Sequence, residues 1–141
     1  MFWLEEGRII IYNNTMDIKI YYHHTDCGGV VYYAKYLEFL EDARTELFAA
    51  KGISYDEMVK QGTQFVVARQ EIDYKAPAFY GDTLSVYTRL TEAGRVKLDF
   101  SYEIKNQNNQ LVSTARTILV CVNGNLKPQA IPEDIRNKLI Q

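Results

Sequence analysis

AKYLEFLEDARTELFAAKG, residues 34–52, places Tyr36, Leu40, Ala43, Leu47 and Ala50 at three- and four-residue steps and closes on Lys51 and Gly52. That spacing is the period of an amphipathic helix of about four turns, and a cation followed by a glycine suits its C-terminal end. Phe39 and Phe48 widen the apolar surface beyond a narrow stripe, which predicts a helix lying in a groove with protein around much of its circumference.

On either side the period changes. Upstream, TMDIKIYY (15–22) alternates Met16, Ile18 and Ile20 with Asp17 and Lys19, the pattern of a half-buried strand. Downstream, SYDE (54–57) fits a capping box that opens a short second helix ending near Gly62. Strand patterns then follow one another. Gln64 to about Lys75 is β-branched and closed by Ala76-Pro77, and Thr83 to Glu92 alternates Leu84, Val86, Thr88 and Leu90. Val96 to Ile104 alternates cleanly, NQNN (106–109) is a turn, and Leu111 to Val122 is a last long strand. Turns this short join antiparallel neighbours, so the second half reads largely as a meander. Pro132 and the acids after it open a small terminal helix. The economical packing is an α+β domain spanning residues 1–141, with a curved antiparallel sheet wrapped around the long helix.

Composition narrows the function. The 141 residues carry a net charge of −2 and no run of Lys or Arg, which argues against a nucleic-acid partner. The apolar opening Met1–Leu4 meets Glu5-Glu6 at once, and no later apolar run approaches the ~20 residues of a membrane span. The expectation is a soluble, cytoplasmic protein without a transmembrane segment. Cys27 and Cys121 lie far apart and read as reduced thiols, and the eleven tyrosines suit half-buried sheet surfaces and subunit contacts.

The chemistry concentrates in YYHHTDCGGVVYYAKY (21–36). His23, His24, Asp26 and Cys27 are each zinc-ligand types, but adjacent histidines in an extended segment project to opposite sides and no second cluster exists, so no metal is expected. No nucleophile elbow accompanies a serine, and Gly28-Gly29 lacks the ending of a phosphate loop. What remains is Asp26, between a strand and a helix start. A helix N-terminus presents unpaired N–H groups and partial positive charge, so a carbonyl docked there would be polarised for attack by Asp26 or by a water that it activates. Residue types alone leave open the plainer alternative, an aspartate that caps its loop.

From Ile18 to about Gly52, with TDCGG, VVYYAKY and EDARTE at their spacing, and on through FVVARQEIDYKAPA (65–78) and Gly81-Asp82-Thr83, the sequence closely resembles the 4-hydroxybenzoyl-CoA thioesterase-like branch of the hotdog-fold acyl-CoA thioesterases. Within it, the bacterial Tol-Pal-associated members are most similar. The resemblance implies a hotdog fold and hydrolysis of an acyl-CoA, or of an acyl group on acyl carrier protein, without cofactor. It places the catalytic carboxylate on Asp26, as nucleophile or general base, and the backbone N–H that polarises the carbonyl on Tyr33, where many relatives carry histidine. Gly28 and Gly29 match the family's tight loop, and Glu41 and Arg44 match the central helix, where a structural salt bridge is expected. Arg69, Arg95 and Lys97, with Lys75, are candidates to hold the phosphates of coenzyme A, Arg95 foremost. Two subunits that join sheets, with sites at the interface, make a homodimer or homotetramer the expected state. Two other readings stay in view, a 1,4-dihydroxy-2-naphthoyl-CoA or other aryl-CoA hydrolase and a non-catalytic acyl-thioester-binding module.

Overall fold

The computed structural model describes the backbone of residues 3–5 and 8–141 and the side chains from Ile10 onward. Met1 and Phe2, part of the apolar opening, lie outside the described residues. Strands β1 (Trp3–Glu5) and β2 (Arg8–Ile10) form a small antiparallel pair. Then come β3 (Tyr12–Lys19), helices α1 (Lys35–Ala50) and α2 (Tyr55–Lys60), strands β4 (Gln64–Tyr74), β5 (Thr83–Ala93), β6 (Lys97–Lys105) and β7 (Leu111–Val122), and helix α3 (Glu133–Ile140). The five longer strands form one antiparallel sheet in the order β3-β5-β6-β7-β4. This is the α+β hotdog arrangement.

Helix α1 buries Tyr36, Phe39, Leu40, Ala43, Arg44, Leu47 and Phe48, a single wide face. Leu37, Glu38, Glu41, Asp42, Thr45, Glu46, Ala49 and Ala50 are exposed, so protein covers about half the circumference rather than most of it, and Ala50 lies off the stripe. The acids clustered on the outer side are the reason, since burying them without cations would cost solvation. The C-terminal stop behaves as its residues require: Gly52 takes φ +75°, and the Ile53 N–H reaches back to the Phe48 carbonyl at 2.9 Å. At α2, Ser54 Oγ accepts from the Glu57 N–H at a long 3.5 Å, the forward half of the capping box.

Against the buried face of α1 lie Leu84, Val86 and Leu90 of β5 and Leu98, Phe100, Tyr102 and Ile104 of β6, every one of them nearly inaccessible. Phe48 anchors the contact, its ring 5.8 Å from Phe65 and 6.2 Å from Phe100. Only β5, β6 and β7 form a true meander. Strand β4 precedes them in the chain but pairs outside β7, Gln64 opposite Val122 and Tyr74 opposite Ser113. The clean alternation of β6 also fails as a guide to burial, because Asp99 on the outer face is 4% exposed. Arg116 covers it with a two-pronged contact, Nε to Oδ1 at 3.0 Å and Nη2 to Oδ2 at 2.6 Å.

Candidate active site

Asp26 sits in a loop that its neighbours close tightly. Its N–H donates to the Val30 carbonyl at 2.9 Å, its own carbonyl accepts from the Gly29 N–H at 3.0 Å, and Oδ1 accepts from the Gly28 N–H at 2.8 Å. Both glycines have a physical reason. A Cβ on residue 28 would stand 3.2 Å from Oδ1, and Gly29 holds φ +84°, which side-chain-bearing residues rarely adopt. One carboxylate oxygen is thereby aimed by the backbone, while Oδ2 has no partner among the described residues and the side chain is exposed.

The histidines shape this loop. His24 Nδ1 accepts from the Tyr21 N–H at 2.9 Å, its carbonyl accepts from the Tyr32 N–H, and its ring packs edge-on against Phe39 with centroids 5.4 Å apart. Burial, then the charges of His23 and Lys35, lower its pKa below the ordinary 6.5, which keeps the accepting nitrogen unprotonated.

The chain then enters α1 without a cap. Ala34 occupies the N-cap position and supplies no side-chain acceptor. Tyr33 and Ala34 form the turn before the helix, and neither N–H has an acceptor among the described residues. The Tyr33 carbonyl does have a partner, the Tyr74 hydroxyl at 2.9 Å. A cleft of about 310 Å³ opens here, lined by Tyr33, Tyr36 and Tyr74 with Val30, Val31 and the segment Lys75–Pro77. Burial, followed by the charges of Tyr74 and Asp82, pushes the Tyr36 phenol up to about 12, so it is a neutral wall. The Asp26 charge adds to the upward shift of the neighbouring Tyr32 phenol, whose largest cause is the hydrogen bond with Tyr33. One short segment thus carries a carboxylate, two unused N–H donors and the positive end of a helix dipole.

The cation candidates are more dispersed. Arg69 follows a β-bulge in β4 and is paired with Glu71. Lys75 borders the cleft. Arg95 lies in the β5–β6 connection, where its carbonyl accepts from the Ile131 N–H at 2.8 Å. Lys97 opens β6 opposite Val120, which on its other side faces Val66 of β4. Eight strand positions separate Val66 from Tyr74, roughly 26 Å, so Arg95 and Lys97 stand near the opposite end of the sheet from Asp26 within one subunit.

Arg44 corrects an expectation. It makes no ion pair with Glu41 and instead enters the core, where Nη1 donates to Tyr102 Oη at 3.0 Å and to Thr117 Oγ1 at 3.3 Å. The sequence alone gives Tyr74 and Ala34 no role in the site and shows Tyr36 only as part of the apolar stripe of α1. For Arg44 a signal existed, since it lies four residues after Leu40 and three before Leu47, on the apolar stripe; for Tyr74 none did, because its partner is known only from the fold.

Comparison with known proteins gives a consistent result. A family model described as the thioesterase-like superfamily matches residues 21–139. The acyl-CoA thioester hydrolase YbgC of Escherichia coli O6:H1 is 37% identical over 119 residues, 84% of this chain and 89% of that protein. A 1,4-dihydroxy-2-naphthoyl-CoA hydrolase of Synechococcus elongatus is 30% identical over 118 residues, 82% of this chain and 86% of that protein. Among solved structures, Slr0204, a 1,4-dihydroxy-2-naphthoyl-CoA thioesterase from Synechocystis, matches with a TM-score of 0.85 and 25% identity, covering 91% of this chain and 96% of that one.

Proposed function

This chain belongs to the thioesterase-like superfamily, and from that membership we propose that it hydrolyses acyl-CoA to the free acid and coenzyme A, with Asp26 as the reacting carboxylate. The observation that carries the assignment of roles is the uncapped start of α1, whose Tyr33 and Ala34 N–H groups have no acceptor among the described residues, next to a carboxylate with one oxygen open among those same residues.

A thioester carbonyl is electrophilic and its thiolate leaves without strong protonation, so a carboxylate and aimed N–H donors suffice. The carbonyl oxygen docks at the Tyr33 N–H with the helix dipole behind it. Either Oδ2 of Asp26 attacks the carbonyl carbon, expelling thiolate and leaving an anhydride that water cleaves, or Asp26 takes a proton from the water that attacks. Gly28 and Gly29 hold the loop flat against the substrate. Arg69, Arg95 and Lys97 are assigned to the phosphates of coenzyme A, with Arg95 and Lys97 serving the site of a second subunit, since they stand far from Asp26 of their own.

A homodimer, or a tetramer of two dimers, is part of this reading. Among the described residues the outer edge of β4 is unpaired, and it carries exposed Val66, Val67 and Tyr74, a surface that closed pairing would bury. A cytoplasmic location and a single domain over residues 1–141 complete it; no helix among the described residues is long and apolar enough to cross a membrane. Acyl carrier protein is the alternative carrier, distinguished by comparing acyl-CoA with the acylated carrier protein as substrate. A second substrate reading, an aryl-CoA, is favoured by the three tyrosine rings around the cleft.

The test follows thiol release from aliphatic and aryl acyl-CoAs. Asp26→Asn and Asp26→Ala should lower kcat by about 10³-fold, within the span of positioned acid-base or nucleophilic groups. Wild-type rates in Asp26→Asn would remove Asp26 from the reaction, and acyl-CoA binding with no thiol release would favour a binding module.

A further inference from the structure

The segment Ala78–Asp82, which leads into β5, holds both ends of the loop that carries Asp26. At the start of the loop, the Ile20 N–H donates to the Asp82 carbonyl at 2.8 Å, and the Ile20 carbonyl accepts from the Gly81 N–H at 2.9 Å. At its end, the Val31 N–H donates to the Ala78 carbonyl at 2.8 Å, and Val30 pairs with Phe79 in an antiparallel bridge. Thr25 pairs with Val31 across the loop, and the Asp26 N–H closes on the Val30 carbonyl at 2.9 Å. The place of the carboxylate is thus set through a turn, residues 79–82, to which Asp26 makes no direct hydrogen bond among the described residues.

That turn rests on Asp82. Its N–H donates to the Phe79 carbonyl at 3.0 Å and its Oδ2 accepts from the Phe79 N–H at 2.9 Å, so the two residues are joined twice. Gly81 supplies the positive φ, +89°, that lets the chain reverse in so few residues. Oδ1 is taken by a residue from elsewhere in the chain. Gln107, in the turn between β6 and β7, donates to it from Nε2 at 2.9 Å, while Gln107 Oε1 accepts from the Thr83 N–H at 3.0 Å. A carboxylate only accepts and a backbone N–H only donates, so a single orientation of the Gln107 amide satisfies both. Asn106 braces this turn, its Oδ1 accepting from the N–H groups of Asn108 and Gln110, each at 3.0 Å. Among the described residues Gln107 makes no hydrogen bond to the loop of Asp26.

We propose that Asp82 and Gln107 are positioning residues for Asp26. Their hydrogen bonds fix the turn 79–82, the turn fixes Phe79 against Val30, and the Val30 carbonyl fixes the peptide of Asp26. The inference rests on the reading of Asp26 as the reacting carboxylate and adds the residues that aim it. Tyr33, Tyr36 and Tyr74, which wall the cleft, make no hydrogen bond to this pair, so its loss acts on kcat and leaves KM nearly unchanged.

The experiment exchanges donor and acceptor within the pair. Asp82→Asn sets an amide N–H against the Gln107 amide N–H, and Gln107→Glu sets two carboxylates against each other. Combined, the amide introduced at 82 donates to the carboxylate introduced at 107, whose other oxygen still accepts from the Thr83 N–H. Each single change should lower kcat about three- to tenfold with KM within about twofold, short of the ~10²-fold that a full ångström of misplacement costs. Each should also move the backbone amide NMR signals of Asp26, Gly28 and Gly29. The double variant should recover about half or more of the wild-type kcat and return those signals, a coupling that a general loss of stability would not give. Asn108→Ala, in the same turn but without a side-chain hydrogen bond among the described residues, should change neither. Gln107→Ala, an exposed truncation, should act like Gln107→Glu in weaker form and serves if Asp82→Asn fails to fold. Wild-type kcat in the single variants, unmoved amides, a double variant no better than the singles, or an equal loss in Asn108→Ala would each overturn the proposal. Were Asp26→Asn to keep the wild-type rate, the reading of Asp26 would fail instead, and the amide signals alone would decide whether the pair sets the loop.

Discussion

The Tyr74 hydroxyl donates a 2.9 Å hydrogen bond to the carbonyl of Tyr33, so a strand at the edge of the sheet sets the peptide that joins Tyr33 to Ala34. That peptide carries one of the two open N–H groups at the start of α1, and its orientation fixes where the residue presents the other. Tyr74→Phe should therefore lower kcat about three- to tenfold with KM little changed, and lower stability by no more than about 1 kcal/mol. Unchanged kcat in steady-state thioester hydrolysis would show that the peptide is held without this bond.

Gly29 tests the loop independently of chemistry. An alanine at φ +84° is strained by about 1–2 kcal/mol. Gly29→Ala should lower the thermal midpoint by several degrees and reduce activity, because relaxing the strain turns the Asp26 carboxylate away from the Gly28 N–H. A midpoint equal to that of the wild type would mean the loop adopts another path at no cost.

Asp99 should matter more than its polarity suggests. Its carboxylate is almost wholly buried and gripped twice by Arg116, whose own side chain is partly open to solvent. Asp99→Ala should cost roughly 2–3 kcal/mol by urea denaturation, while thioesterase kinetics at low temperature stay close to normal.

His24 gives the pH dependence, and its sign follows from the direction of the shift. The folded protein lowers the pKa below the unfolded value of 6.5, so the unfolded chain binds more protons around and below that pH. The His24 contribution is fully present above pH 6.5 and is lost as pH falls through the lower folded value. In a series of thermal midpoints, the wild type should lose stability over that window and His24→Asn should flatten the curve. NMR titration of the ring should place its midpoint below 6.5; one above would reverse the sign.

The long helix, the four later strands and the terminal helix are legible because each holds its period over many residues. The TDCGG loop is legible because glycines have few structural uses. Strand β3 begins at Tyr12, three residues earlier than its alternation suggests, because Asn14 occupies an inward-facing position and hides the pattern. The position of β4 outside β7 is not a local property, since neither strand names its partner. Arg44 and Asp99 are both buried against the expectation for a charged side chain, for a shared reason: polarity predicts exposure unless a distant residue supplies the compensation. For Arg44 those residues are Tyr102 and Thr117, and for Asp99 it is Arg116. The resemblance already places a polarising N–H on Tyr33, but the second open N–H, that of Ala34, emerges only once the turn before α1 is built.

The placement of β4 also has a kinetic consequence. A chain made from its N-terminus releases β4 well before β7, the one strand among the described residues with which it pairs. Until then its Val66 and Val67 have no sheet to join, while β5, β6 and β7 can assemble through short-range pairing as soon as they emerge. Docking of β4 is thus a late, long-loop closure, and the interval before it is when newly made chains are most prone to associate through the wrong edge.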